Sequence, residues 1–145
     1  MGISPEKVRA EVDRFWQILC GKSNDKLEGL YSSSAVVFTG KGKAPEAASL
    51  AMTRRARHLG EPGTDSSVEL GLVEVQAAGT DVAIASYTYK FQRAQTSGDG
   101  GRLERNTLFG RATQVFQLDN SGALWIVHEH LSAGTNPEAE RAAKG

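Results

Sequence analysis

Apolar residues recur at every second position through most of the stretch from Val68 to Ser132. A period of two sends successive side chains to opposite faces of an extended strand, so this half of the chain must build a sheet with one buried face. The alternating segments are "VELGLVEVQ" (68–76), "VAIASYTYKFQ" (82–92), "RLERNTLFGRATQVFQL" (102–118) and the segment 123–132. "AAGTD", "TSGDGG" and "DNSG" separate them, and connections this short join antiparallel neighbours. In the first segment the apolar set moves from Val68, Leu70 and Leu72 to Val73 and Val75, which predicts a bulge near Gly71. Gly110 predicts a bend in the third.

The N-terminal part has helical spacing instead. Ser4 followed by Pro5 is a helix start, a hydroxyl cap with proline at the first helical position. Val8, Val12, Phe15 and Leu19 then share one face with Trp16 on its flank, and Gly21 ends the helix. Asn24 or Asp25 caps a short second helix carrying Leu27 and Leu30, followed by Tyr31. "AVVFTG" (35–40) reads as a short strand, and Pro45 opens a third helix that runs to about His58 and stops at Gly60. The expectation is an α+β domain, three N-terminal helices packed on a strongly curved antiparallel sheet. It spans residues 1–134 as one unit, with 135–145 as a polar, frayed tail. A curved sheet closed against helices leaves a conical hollow, and such hollows suit small molecules.

Composition narrows the partners. Seventeen basic and seventeen acidic side chains cancel, so no long-range field draws in nucleic acid or anionic lipid. "RRAR" (54–57) reads as a solvated helix face, and "GKGK" (40–43) lacks phosphate-loop spacing. Cys20 is the only cysteine, which excludes an internal disulfide, and it reads as a small core residue. The N-terminus has no apolar signal core, Glu6 stands where a myristoylation signal needs Ser or Thr, and no run is long enough to cross a bilayer. The chain reads as cytoplasmic.

The element order, with "GRATQVF" and then "GALWIVHEHLS" at its end, resembles the NTF2-like superfamily. It is most similar to the SnoaL-like branch and to the association (hub) domains of calcium/calmodulin-dependent kinases. The likeness spans about residues 6 to 134, and its specific part is Thr113-x-Val115, a turn with glycine, then Val127-His128-x-His130-x-Ser132. It implies a cone-shaped fold, a cavity and a dimer built through the sheet, but no single activity. Hub domains line their cavity with three arginines; the matching positions here hold Thr88, Gln114 and Leu131, none of them basic.

If Leu131 faces the cavity, alternation turns Trp125, Val127 and Glu129 inward as well. Leu124, Ile126, His128, His130 and Ser132 then face outward, unless a bulge between 126 and 130 reverses the assignment. His-x-His is too few ligands for a catalytic zinc, and no metal or cofactor is expected. Glu129 is then a lone carboxylate on an apolar stripe and must be paired, neutral or near water. Ala48, Met52, Arg55 and Leu59 share a face of the third helix, so Arg55 either meets Glu129 at the cavity wall or both are solvated at its rim. Trp16, Tyr31, Phe38 and Met52 join Thr88, Gln114 and Leu131 as the expected lining. Tyr87, Tyr89, Phe109 and Arg111, with both histidines, form the expected sheet-to-sheet homodimer surface. The alternative is that those aromatics pack under a helix, with the faces inverted. Two functions follow. One is a small-molecule-binding module for a largely apolar ligand. The other is an isomerase or dehydratase using Glu129 as general acid/base with Arg55 setting its pKa.

Overall fold

The computed structural model describes residues 2–20, 22, 23, 25, 27–38, 46, 47, 66–96 and 103–134. Helix α1 (Pro5–Leu19) starts as the sequence dictates: the Ser4 hydroxyl accepts from the Lys7 N–H at 3.2 Å and Pro5 occupies the first turn. Its stripe of Val8, Val12, Phe15, Trp16 and Leu19 is buried. Each such side chain contributes roughly 1.5–3 kcal/mol on removal from water. A 3-10 turn over Leu27–Leu30 stands where a second helix was expected.

Among the described residues seven strands follow: β1 (Tyr31–Phe38), β2 (Glu46–Ala47), β3 (Ser66–Leu70), β4 (Glu74–Ala77), β5 (Val82–Thr96), β6 (Leu103–Leu118) and β7 (Leu124–Gly134). They make one sheet in the order β2-β1-β7-β6-β5-β3, with β4 also paired to β5. The sheet is mixed rather than wholly antiparallel, because β1 runs parallel to β7. A parallel pair needs a long crossover, and the whole of β2 to β6 provides it. Glu46 and Ala47 pair with Val37 and Val36 of β1, in place of the first turn of the expected third helix. Pro45 is as compatible with the start of an edge strand as with a helix start. The rest of that helix, and the tail, lie outside the described residues.

Three irregularities interrupt the register among the described residues, the first between Tyr31 and Val36 where β1 pairs with β7. Leu70 faces Tyr89 and Glu74 faces Ser86, so the β3–β4 side carries one extra residue around Gly71, where the apolar phase changes. In β7, His128 faces Val115 and Ile126 faces Phe116, so Val127 is the extra residue. Among the described residues the core lies between α1 and one sheet face, with Tyr89 tilted against Trp16 at a centroid distance of 4.7 Å. Gly110 sits opposite Tyr89, and a Cβ at that position would overlap the tyrosine ring. The register runs unbroken through Gly110, where a bend was expected, and the glycine is instead a seat for an aromatic ring. Arg9 donates to the Val73 carbonyl (3.3 Å) and Lys7 to the Gly122 carbonyl, tying α1 to the bulge and to the β6–β7 turn. That turn places Gly122 at φ 86°, a conformation open to glycine. No helix among the described residues is long and apolar enough to cross a membrane.

Candidate functional site

Register decides which side chains meet. Directly opposed residues of an antiparallel pair share a face. Ala83, Ala85, Tyr87, Tyr89 and Phe91 of β5 face α1, as do Ala112, Gln114 and Phe116 of β6. On β7 the inward residues are Leu124 and Ile126 before the bulge, and Glu129 and Leu131 after it. The extra residue at Val127 therefore separates two phases. Glu129 and Leu131 face inward as expected from alternation, but Trp125 and Val127 do not. The Trp125 indole instead donates to Asp119 at 2.8 Å.

Glu129 and Gln114 are both fully buried and stand opposite each other on neighbouring strands. The Tyr31 hydroxyl bridges the Glu129 carboxylate, at 2.9 Å from Oε1 and 2.8 Å from Oε2. The Gln114 amide donates to Oε2 at 2.7 Å. The Tyr87 hydroxyl donates to Gln114 Oε1 at 2.7 Å, and the Trp16 indole N–H donates to the Tyr87 oxygen at 3.0 Å. Five side chains from α1, β1, β5, β6 and β7 thus form one polar thread through an apolar interior.

Several expected residues stand elsewhere. Thr88 is exposed on the outer face opposite Arg111, because the register pairs Gln114 with Ala85 and puts Thr88 one residue out of phase. It is not an inner-face residue. Tyr87 and Tyr89 are buried on the inner face against α1, so they are removed from the expected outer surface. Phe109, Arg111, His128 and His130 do lie on that outer face, with Arg111 and His130 exposed and Phe109 and His128 half-buried. The Lys90 ammonium lies over the Phe109 ring, 6.0 Å from its centroid. Trp16, Tyr31 and Leu131 are buried. Phe38 is part of β1 opposite His130. Met52 and Arg55 lie outside the described residues, so the Arg55–Glu129 pair does too.

Tyr87 was missed as a member of the site. Its signal was the pair Ala83 and Ala85 in the same alternating set: small residues on one face make room for large neighbours, here Phe116 and Gln114. Burial pushes the Cys20 thiol upward, away from the reactive thiolate. Among the described residues no three His, Cys, Asp or Glu side chains converge as a metal set.

No protein-family model matches the chain, and no curated protein is similar to it in sequence. Solved structures do share its fold. The CaMKII association domain of C. elegans superposes with a TM-score of 0.67 at 16% identity, covering 88% of this chain and 93% of that one. An NTF2-like protein of unknown function from Pseudomonas putida KT2440 gives 0.65 at 22% identity, covering 92% and 89%. A candidate ketosteroid isomerase from Parabacteroides distasonis gives 0.64 at 14% identity, covering 94% and 91%. The fold is NTF2-like, an α+β arrangement on a curved mixed sheet.

Proposed function

We propose that the chain is a small-molecule-binding protein of the SnoaL-like kind, its ligand seated in a cavity between α1 and the inner sheet face with Glu129 as the polar anchor. One observation carries this reading: a carboxylate with no exposed surface, held in an otherwise apolar interior by Tyr31 and Gln114. Taking a carboxylate out of water costs several kcal/mol, and an apolar residue at this position would serve the core as well. The ligand that fits is largely apolar with one hydrogen-bond donor. The Tyr31 hydroxyl lies across both oxygens, and a carboxylate has lone pairs for a further donor. Mass spectrometry of co-purified molecules followed by a thermal-shift screen tests the proposal. A ligand should stabilise the wild type and bind Glu129→Gln about tenfold or more weakly, as loss of a charge-assisted bond implies. Equal binding to both proteins, or no ligand at all, overturns it.

The phenol beside a carboxylate favours a second reading, an isomerase or dehydratase in which Glu129 moves the proton and Arg55 adjusts it. Deuterium uptake next to the carbonyl of small ketones, absent in Glu129→Gln, supports that reading; exchange no faster than buffer excludes it.

Self-association through the outer sheet face is the remaining part of the proposal. Phe109, Arg111, His128 and His130 lie there, and the likeness to an association domain supports it. Sedimentation equilibrium should give a dimer that dissociates in an Arg111→Glu, His130→Glu double variant. A monomeric wild type overturns it.

A further inference from the structure

We infer that Trp16 and Tyr87 are positioning residues for Glu129, acting through Gln114 along a directed hydrogen-bond relay. The inference rests on the reading of Glu129 as the polar anchor. An indole N–H donates and cannot accept. The Tyr87 oxygen that accepts from Trp16 donates its single hydrogen to Gln114 Oε1. With that oxygen engaged, the opposite end of the amide, Nε2, faces Glu129 and donates to Oε2. A donor-only group begins the thread and an accepting carboxylate oxygen ends it. Reversing the first link would set two donors against each other.

The orientation of a buried amide is ordinarily one of two nearly isosteric choices. Here the choice is made by an indole two links away, on a helix rather than in the sheet. Aligned bonds of this kind polarise one another, so each donor strengthens the next. Tyr31 approaches the same carboxylate from β1, on the other flank of β7. Glu129 is thereby held from both sides of its strand. Trp16 and Tyr87 reach it through Gln114, so their effect is on where and how it accepts.

The test uses the free, full-length protein, so it does not depend on any ligand. In the unaltered chain, NMR should show a through-hydrogen-bond coupling between Gln114 Nε2 and the Glu129 carboxyl carbon. Its absence, or contacts placing the amide oxygen toward Glu129, overturns the relay. In Tyr87→Phe the bonded Nε2 proton should move upfield and exchange with water about tenfold faster. In Trp16→Phe the shift should have the same sign and be smaller. A packing role alone predicts no ordered decline along the thread, and unchanged Gln114 signals in both variants overturn the inference. A ligand screen that finds nothing would instead remove the anchor reading and leave these signals as predicted.

Discussion

Asp119 accepts four hydrogen bonds although it sits at the surface. The Ser121 and Ala123 N–H groups and the Ser121 hydroxyl reach Oδ1 at 2.6–2.9 Å, and the Trp125 indole reaches Oδ2 at 2.8 Å. The Ser121 hydroxyl, the indole and the Ala123 N–H hold its carboxyl well below the ordinary carboxylate range. A depressed folded value means that the ionised form favours folding. The contribution is present in full above the unfolded value of roughly 4 and is lost as pH falls through the folded value. Thermal melts of wild type and Asp119→Asn should therefore differ by a constant amount near neutrality, with the wild type higher, and converge below about pH 4. In the sequence Asp119 showed only as a turn residue, since its partners follow it within six positions and any aspartate-rich turn looks alike. Glu129 was legible because charge on an apolar stripe is conspicuous. Its partners were not, because Tyr31 and Gln114 reach it across sequence separations of 98 and 15 residues.

At the scale of elements, β5 and β6 dominate, and Gly110 is the position where their packing is most exacting. The Tyr89 ring lies over it and Trp16 rests on that ring. Gly110→Ala should displace Tyr89 and cost about 1–3 kcal/mol, measured by urea unfolding, with the buried Trp16 emission shifted. Gly71→Ala meets the Thr88 hydroxyl, the end of an exposed side chain able to turn away, and should cost less. The four alternating segments, the α1 cap and the irregularity at Gly71 were readable because each is a local pattern. The bulge at Val127 was not, since "WIVHEH" alternates acceptably in either phase and only the β6 register distinguishes them. That ambiguity put Trp125 and Val127 on the wrong face. The aromatics of β5 were misplaced for a related reason: a two-fold pattern defines two faces but does not say which one the helix covers.

For the whole molecule, the fold class followed from helices first and strands after, while the parallel pairing of β1 with β7 did not. Strand order is a matter of which edges meet, and nothing local in β1 encodes its partner. The pairing makes the sheet strongly non-local, so stopped-flow refolding should be slow for the size of the chain, on the order of milliseconds to seconds. Refolding in microseconds would contradict the strand order. Because β7 lies between β1 and β6, it is the keystone of the sheet, and it is also the strand that leaves the ribosome after all the others described. Until it emerges, β1 and β6 each present an open edge that invites pairing with other nascent chains. Glu129 arrives on that same strand, so the carboxylate and the closure of the sheet appear together, and a partly synthesised chain holds neither.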